Sequence, residues 1–274
     1  MEKIKLIAFD LDGTLLTRDK RLTPENEDAL YRAAGLGIEL VPATGRFWSA
    51  MPEELLRLPF LRYAITINGA QVRDLRNDRA LTRAELPWET AVEILTYLDA
   101  VDAVYDCYQE NWGWMTRSHW ERAEDYTASV HSLAMVQKYR KPVPELKAYL
   151  REQGKGIQKL QCFFRDETLR RRVWAELERR FPETAVTSSL GNNLEINARE
   201  ATKGRALEQL AAHLGLALSQ TAAFGDDSND VSMLRAAGVG IAMANASPEA
   251  KAAADRLTLS CDESGFAAAL DSLL

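Results

Sequence analysis

The sequence predicts an α/β protein, with a doubly wound parallel sheet as its core and an inserted α+β domain. Short apolar runs alternate with helix-like stretches at both ends of the chain, and several of these runs stop abruptly at polar residues. The middle of the chain differs, since it holds five of the six tryptophans. A chain of 274 residues also exceeds what one compact core usually fills, which favours two domains.

The amino-terminal part alternates strands and helices. Leu6–Phe9 is an apolar run that predicts a buried strand. Thr23-Pro24-Glu25 is a typical helix start, with a capping hydroxyl, a proline at the first helical position and an acid in the first turn. The runs Ile38–Val41 and Ala64–Ile67 predict a second and a third strand.

The carboxy-terminal part repeats this pattern. Lys203–Leu214 predicts a helix, Thr221–Phe224 and Val239–Met243 predict strands, and Ser247-Pro248-Glu249 predicts another helix start. Strands and helices joined by short links are typical of a parallel sheet covered on both faces. The two ends of the chain are therefore predicted to form one Rossmann-like core.

The middle of the chain predicts a separate α+β domain. Ala103–Gln109 and Trp112–Arg117 flank a short polar turn and predict a hairpin. The other predicted elements are helices at Trp88–Leu98, Glu145–Leu150 and Glu167–Arg180 and a strand at Gln158–Phe164. We therefore predict a core formed by residues 1–82 and 191–274, with residues 83–190 as an inserted cap.

Two aspartates follow the first predicted strand. Asp10 and Asp12 lie where ligands bind in open parallel sheets, outside the carboxyl ends of the strands. Carboxylates this close repel each other, so they indicate a bound cation or a shared proton. The alternative is a solvated loop in which Asp12-Gly13 only turns the chain. An EF-hand is excluded, because its glycine would have to stand at the sixth position.

A second acidic cluster follows the strand Thr221–Phe224. If both strands belong to one sheet, Asp226 and Asp230 meet Asp10 and Asp12 at one rim and form an oxygen-only site suited to Mg²⁺. The alternative is an acid-rich helix start, which accounts for one acid more easily than for four.

Two further segments supply hydroxyl and cationic groups. Thr44-Gly45-Arg46 ends the second strand, where a hydroxyl and backbone N–H groups could hold a phosphoryl oxygen. Lys203 opens a predicted helix and could reach the same rim. The alternatives are a helix-capping role for Thr44 and an ordinary solvated position for Lys203.

The composition excludes several classes of partner. The net charge of -6 argues against nucleic acid and anionic membranes as partners. The apolar runs are too short to cross a bilayer, and no signal peptide is evident at the start. The three cysteines are widely separated, which argues against a disulfide framework and a zinc site. The three histidines, His119, His131 and His213, are scattered and are not expected to bind metal. We expect a cytoplasmic protein, as a monomer or small homo-oligomer.

The motifs together resemble the haloacid dehalogenase superfamily, in particular its Cof-type hydrolases (subclass IIB). The matching segments, in order, are Asp10-Leu11-Asp12-Gly13-Thr14, Thr44-Gly45-Arg46, Lys203 and Gly225-Asp226-Asp227-Ser228-Asn229-Asp230. Ile67-Asn68-Gly69-Ala70 and the tail from Met243 to Gly265 match the same subfamily. One departure is Cys261-Asp262, where the subfamily usually has an asparagine before the acid.

The resemblance implies a role for each matching residue. Asp10 is the expected nucleophile, and Asp12 the acid that protonates the leaving alcohol and later activates water. Thr44 and Lys203 are expected to hold the phosphoryl oxygens. The remaining expected phosphate contacts are Gly45, Arg46, Asn68 and Asn229, of which Asn229 positions Lys203 or the phosphate. Mg²⁺ is expected on Asp10, the backbone carbonyl of Asp12 and Asp226, with Asp230 nearby.

The leading hypothesis is a magnesium-dependent phosphomonoesterase for a small phosphorylated metabolite, such as a sugar phosphate, a nucleotide or a phosphorylated cofactor. The cap would exclude water and select the leaving group, and Tyr108 and Trp112 either line the closed site or belong to the core of the cap. A phosphotransferase or mutase is the first alternative, since its first half-reaction is identical. A non-catalytic binding protein with this fold is the second.

Overall fold

A computed structural model of the chain describes residues 2–127 and 130–273, without the side chains of residues 130–132. The chain divides into two compact units, one formed by Met1–Arg83 with Thr202–Leu274 and the other by Ala84–Ala201. No helix in the described residues has both the length and the apolar character to span a membrane.

The elements follow one another in an α/β order. The strands are β1 (Leu6–Phe9), β2 (Glu39–Pro42), β3 (Tyr63–Thr66), β4 (Gln71–Asp74), β5 (Arg79–Arg83), β6 (Ala103–Gln109), β7 (Trp112–Thr116), β8 (Arg140–Val143), β9 (Lys159–Phe164), β10 (Thr184–Thr187), β11 (Asn193–Ala198), β12 (Thr221–Gly225), β13 (Val239–Ala242) and β14 (Arg256–Leu257). The helices are α1 (Pro24–Gly35), α2 (Glu53–Leu56), α3 (Trp88–Leu98), α4 (Arg117–Glu121), α5 (Val130–Tyr139), α6 (Leu146–Gln153), α7 (Glu167–Arg180), α8 (Lys203–His213), α9 (Val231–Ala236), α10 (Pro248–Ala253) and α11 (Gly265–Leu270).

The core unit contains a parallel sheet in the order β14-β13-β12-β1-β2. The interior strand β1 is fully buried and pairs with β2 from the amino-terminal part and β12 from the carboxy-terminal part. The ends of the chain therefore build one sheet, as predicted. The apolar character of β1 follows from this position, because a parallel strand covered on both faces has no solvent-facing side.

The third predicted strand belongs to a second, antiparallel sheet. β3, β4 and β5 form this sheet, and the parallel bridge between Ala43 and Ile65 joins β3 to the end of β2. The β4–β5 pair was not predicted, since its residues Gln71–Arg83 are rich in charge and lack a regular apolar alternation.

Two of the predicted helix starts are formed as expected. The Thr23 side chain accepts a hydrogen bond from the backbone N–H of Asn26 at 3.3 Å, and Pro24 occupies the first helical position of α1. At α10, the Ser247 side chain accepts from the N–H of Ala250 at 3.2 Å. Each cap satisfies a backbone donor that the helix itself cannot.

The inserted unit, which we call the cap, contains a sheet in the order β10-β11-β9-β6-β7-β8. β6 and β7 form the predicted hairpin, and Glu110 and Asn111 turn it with φ of 52° and 62°. Side chains from one face of the sheet, such as Cys107 and Leu160, form an apolar cluster with residues of α3, α6 and α7.

The second boundary of the cap differs from the prediction. Residues 191–201 lie in the cap instead of the core, because β11 is hydrogen-bonded to β9 and β10. The first boundary, after Arg83, is shifted by one residue from the predicted position. The cap ends after β11 because this strand pairs with β9, for example Asn193 with Phe163, 30 residues earlier in the sequence. Such pairing leaves no local signal in the sequence.

Candidate active site

Asp10 lies directly after β1. Its backbone N–H donates to the carbonyl of Phe224 at 3.0 Å, so the pairing with β12 continues to this residue. The side chain is 9% exposed, and its Oδ1 accepts a hydrogen bond from Nζ of Lys203 at 2.6 Å. Burial, opposed by Lys203 and reinforced by Asp230 and Asp226, raises the pKa of Asp10 well above its usual value.

Lys203 is a fully buried cation, not the solvated lysine of the alternative interpretation. It is the first residue of α8, whose start is capped by the Thr202 hydroxyl accepting from Arg205 N–H at 3.1 Å. Its Nζ donates to Asp10 Oδ1 and to Asp230 Oδ1, each at 2.6 Å. Burial alone would lower the pKa of Lys203, but the two carboxylates raise it, so this side chain stays charged.

The loop after β12 brings the second acidic cluster to the same place. Asp230 is fully buried, and its Oδ2 accepts the backbone N–H groups of Asp226 and Asp227 at 2.9 and 3.1 Å. The Thr14 hydroxyl donates to Asp226 Oδ1 at 2.7 Å. Burial and the neighbouring Asp230 raise the pKa of Asp226 to about 7, against the opposing effects of Thr14 and Lys203.

Asp10, Asp226 and Asp230 could hold a metal ion together. One carboxylate oxygen from each lies within 4.8 Å of the others. Burial raises the pKa values of Asp10 and Asp226, and the neighbouring carboxylates raise them further against the opposing effect of Lys203. The donor set is purely oxygen, which Mg²⁺ and Ca²⁺ prefer. The charge and chemistry of these residues therefore fit a divalent cation.

Gly13 allows the two loops to approach. Its φ of +96° lies in the left-handed region, and a Cβ at this position would stand 2.3 Å from Asp226 Oδ2. The carbonyl of Gly13 also accepts from Asn245 Nδ2 at 2.8 Å, while Asn245 Oδ1 accepts from Cys261 N–H at 2.8 Å. Gly13 thus has a packing role that goes beyond an ordinary Asp-Gly turn.

The Asp12 side chain binds two cations of the protein. Arg46 donates from Nε and Nη2 to its two carboxylate oxygens, both at 2.7 Å, and Lys20 Nζ lies 3.0 Å from Oδ1. Burial would raise the pKa of Asp12, but Arg46 and Lys20 overcome this effect and lower the pKa to about 2. Arg46 is thus bound to Asp12 in this structure, and its expected contact with phosphate stays a prediction.

A backbone segment in an unusual conformation links the remaining residues. Ile67 and Asn68 have φ of 53° and 57°, which is rare outside glycine and strained for a β-branched residue. The N–H of Ile67 donates to the carbonyl of Arg46 at 3.0 Å, and the N–H of Asn68 to that of Thr44 at 3.1 Å. Asn229 Nδ2 donates to Asn68 Oδ1 at 3.2 Å, and its expected role in positioning Lys203 or the phosphate stays a prediction.

Thr44, whose carbonyl accepts from Asn68, is buried. Its hydroxyl accepts the N–H of Arg46 at 3.1 Å, across Gly45. Such a side-chain turn at the end of β2 directs the following backbone. The predicted site residues from both ends of the chain thus lie in one unit, connected through Asp10–Lys203–Asp230, Asp12–Arg46 and Asn68–Asn229.

Several residues around the site were not assigned a role from the sequence. Thr14 and Asn245 stand in the recognised motifs but were not assigned a contact, and Lys20 carried no signal beyond its charge. Asp262, next to the unusual Cys261, accepts from the backbone N–H of Arg18 at 3.0 Å and so fixes the loop after the first motif. The signal that could have found Asn245 is its place in the segment Met243-Ala244-Asn245-Ala246, which matches the subfamily.

The two histidines whose side chains are described make other contacts. His119 Nδ1 accepts from the N–H of Tyr105 at 3.3 Å in the cap, and His213 packs against Tyr63. The side chain of His131 lies outside the described residues. All three cysteines are free and buried, in agreement with the prediction of no disulfide framework.

The chain is similar to known proteins over nearly its whole length. A family model of haloacid dehalogenase-like hydrolases matches residues 7–270. The phosphatase YwpJ of Bacillus subtilis is 31% identical, over 99% of this chain and 100% of the relative. The 5-amino-6-(5-phospho-D-ribitylamino)uracil phosphatase YwtE of Bacillus subtilis is 32% identical, over 99% and 98%.

A solved structure shares the entire fold. A haloacid dehalogenase-like hydrolase from Bacillus subtilis superposes with a TM-score of 0.85 at 30% identity, and covers 99% of this chain and 100% of its own. The family match spans nearly the whole chain, the relatives align over their full lengths, and the four motifs meet around Asp10 and Lys203. The protein is therefore a member of the haloacid dehalogenase-like hydrolases, of the Cof type, and is a phosphatase.

Proposed function

We propose that the protein is a magnesium-dependent phosphomonoesterase that hydrolyses a small phosphorylated metabolite through a phosphoaspartyl intermediate on Asp10. The observation that carries the proposal is the group formed by Asp10, Asp226 and Asp230, in the loops after β1 and β12, together with the buried Lys203 at the start of α8. The relative YwtE, named for a phosphorylated ribitylaminouracil, supports a small metabolite as the substrate.

In the first step, Asp10 attacks phosphorus. Lys203 binds Oδ1 of Asp10, so we assign the attack to Oδ2. The P–O bond to the leaving alcohol breaks as the new bond to Asp10 forms, and the alcohol oxygen takes a proton. Thr44 and Lys203 are the residues proposed to hold the phosphoryl oxygens, with Lys203 also balancing the charge on Asp10.

Asp12 is proposed to transfer the protons. Its lowered pKa of about 2 makes it a carboxylate in this structure, ready to take a proton from the attacking water in the second step. To protonate the leaving alcohol in the first step, Asp12 must first gain a proton, which a phosphate monoanion can supply. Arg46 and Lys20 hold the carboxylate between these events.

Asp10, the backbone carbonyl of Asp12 and Asp226 are proposed to bind Mg²⁺, with Asp230 positioning the loop. The cation would offset the repulsion between the carboxylates and the phosphate and stabilise charge on the equatorial oxygens. Asp230 is less suited to direct ligation, since its oxygens already bind Lys203 and two backbone N–H groups. The cap is proposed to select the leaving group, and the enzyme to work in the cytoplasm, where its three buried thiols stay reduced.

The test is phosphate release from a panel of sugar phosphates, nucleotides and phosphorylated cofactors, with Mg²⁺ and with chelator. We expect metal-dependent release that falls by on the order of 10⁴-fold or more in Asp10→Asn, because removal of a nucleophile eliminates the covalent route. Asp19→Asn is the matched control, since Asp19 lies in the same region but its side chain is 82% exposed.

Equal release by the native protein and Asp10→Asn would exclude Asp10 as the nucleophile. Release that persists in chelator would exclude the metal requirement. Addition of acceptor alcohols to the same assay separates hydrolysis from phosphotransfer, because a transferase would form phosphorylated acceptor at the expense of free phosphate.

A further inference from the structure

The loop after β13, residues 243–247, contacts the backbone of both acidic loops of the site. The N–H of Ser247 donates to the carbonyl of Asp226 at 2.8 Å, in the loop after β12. The side chain of Asn245 reaches the loop after β1, where its Nδ2 donates to the carbonyl of Gly13 at 2.8 Å. Residues 243–247 thus connect the two loops that supply the carboxylates proposed to bind Mg²⁺.

Asn245 uses both ends of its amide group in contacts with distant segments. The acceptor of its Nδ2, the Gly13 carbonyl, lies 232 residues away in the sequence. Its Oδ1 accepts from the N–H of Cys261 at 2.8 Å, 16 residues farther along the chain. An asparagine that only forms a turn hydrogen-bonds to its own neighbouring backbone. Turn formation therefore does not account for these contacts, which join three segments of the core unit.

The peptide that Asn245 holds contacts both oxygens of Asp226. The Thr14 hydroxyl donates to Asp226 Oδ1 at 2.7 Å. A Cβ on Gly13 would stand 2.3 Å from Asp226 Oδ2, so the bare glycine backbone lies against this oxygen. The carbonyl that accepts from Asn245 belongs to the peptide between Gly13 and Thr14. A shift of this peptide therefore changes where the Asp226 carboxylate can lie.

A second asparagine holds the loop after β1 farther along the chain, for a different physical reason. Asn26 Nδ2 donates to the carbonyl of Leu15 at 2.8 Å, and Asn26 Oδ1 accepts from the N–H of Ala267 at 3.0 Å. Asn26 is fully buried, so its amide has to be satisfied within the protein. Asn245 is only partly buried and could hydrogen-bond with water instead. Burial alone therefore does not require the contact between Asn245 and Gly13.

The position of the Asp226 carboxylate matters because of the cation that it is proposed to bind. Mg²⁺ requires a nearly ideal octahedral arrangement of its oxygen ligands. Groups that orient the ligands from outside the coordination sphere typically change metal affinity by about 10–100-fold when they are removed. Asn245 stands in such a place, because it holds the peptide that contacts the Asp226 carboxylate.

We propose that Asn245 is a positioning residue for the divalent cation: by holding the Gly13 carbonyl, it keeps the Gly13–Thr14 peptide against the Asp226 carboxylate and so maintains the geometry in which this carboxylate binds the ion. The amide of Asn245 is engaged by Gly13 and Cys261, so the residue acts through the backbone and not as a ligand. This inference rests on the metal-dependent phosphatase function proposed above.

The test is isothermal titration calorimetry with Mg²⁺ alone, on protein first stripped of metal with chelator. We expect Asn245→Ala to raise the dissociation constant of Mg²⁺ about tenfold or more. Asn77→Ala is the matched control and is expected to keep the native constant. Asn77 Nδ2 donates to Asp74 Oδ2 at the same 2.8 Å, but in the exposed turn between β4 and β5 of the same unit. A merely structural role of Asn245 would lower the free energy of unfolding and leave the constant of the folded protein unchanged.

If Asn245→Ala does not fold, Asn245→Asp replaces it. This variant keeps an acceptor for the Cys261 N–H and loses only the donor to Gly13. Its added negative charge would by itself strengthen cation binding, so a raised dissociation constant, which we expect, reports the lost donor. A constant equal to the native one or lower in the folded variant overturns the inference and leaves the proposed function standing. Native protein that binds no Mg²⁺ overturns the proposed metal site together with the inference.

Discussion

At the residue scale, Asp12 shows how the protein controls the charge of one carboxyl group. Two hydrogen bonds from Arg46 and the nearby Lys20 outweigh the effect of burial and lower its pKa to about 2. Without a bound substrate, a carboxylate held in this way is ionised and accepts hydrogen bonds near neutral pH. Arg46 and Lys20 therefore keep the Asp12 carboxyl group ionised.

This shift predicts a pH-dependent effect on stability. The folded-state pKa of Asp12 lies below its ordinary value of 3.8, so the ion pair stabilises the fold above about pH 4 and loses its effect as the pH falls towards 2. We expect Asp12→Asn to lower the free energy of unfolding by about 2 kcal/mol at pH 7 and by roughly half of that at pH 3. Urea unfolding at both pH values, with chelator present, measures the difference. A loss that is equal at both pH values, or that matches Asp19→Asn, would show that the ion pair does not stabilise the fold.

At the element scale, the ends of β1 and β12 create the site. The two strands are neighbours in the sheet, and each is followed by an acidic loop, so Asp10 and Asp226 meet although they are distant in sequence. The Gly13 backbone and the Thr14 hydroxyl hold the two loops against each other. A shared rim of this kind concentrates negative charge, and a divalent cation relieves the resulting repulsion.

Mg²⁺ is therefore expected to stabilise the fold itself. At 100 times its dissociation constant, the ion adds about 2.7 kcal/mol to the free energy of unfolding, which corresponds to roughly 5–10 °C in Tm for a domain of this size. We expect Asp226→Asn to lose most of this shift. Asp262→Asn is the control, because Asp262 lies on a neighbouring loop but outside the carboxylate group. A full Mg²⁺-dependent shift in Asp226→Asn would contradict the assigned metal site, whether or not the variant hydrolyses phosphate esters.

At the scale of the whole molecule, the core is assembled from two distant parts of the chain. β1 lies between β2 and β12, so residues 1–83 lack three of the five strands of the parallel sheet until residues 202–274 are present. They also lack Lys203, Asp226 and Asp230 of the site. The two junctions of the cap emerge close together, since Arg83 pairs with Gln71 and Gly69 packs against the carbonyl of Thr202.

This connectivity predicts opposite outcomes for two deletions. A chain that ends at residue 201 is expected to show no cooperative unfolding of the core, because β1 has lost a neighbour on one side. A chain in which a short Gly-Ser linker replaces residues 84–201 is expected to keep a cooperative core transition and the Mg²⁺ shift. Thermal unfolding followed by far-ultraviolet circular dichroism tests both. Cooperative unfolding of residues 1–83 in the truncated chain would refute the interdependence of the two parts.

The sequence by itself determined the framework of this protein. Apolar runs that stop at Asp10, Thr44 and Asp226 predicted where strands end, because a strand buried on both faces must be apolar and its loop polar. Caps such as Thr23-Pro24 predicted helix starts, because they satisfy local backbone donors. Strand ends and helix caps depend on residues that are close in sequence, so the sequence alone is enough to recognise them.

Only the tertiary structure decided which side chains meet. Arg46 binds Asp12, Asn229 binds Asn68, and Lys20 joins the site, although the sequence pattern had suggested phosphate or no role at all. The same holds for β11, which belongs to the cap because it pairs with β9. Most of these contacts join residues that are far apart in the sequence, and the interaction energies depend on the distance between the groups and on their burial. Both quantities exist only once the chain has folded.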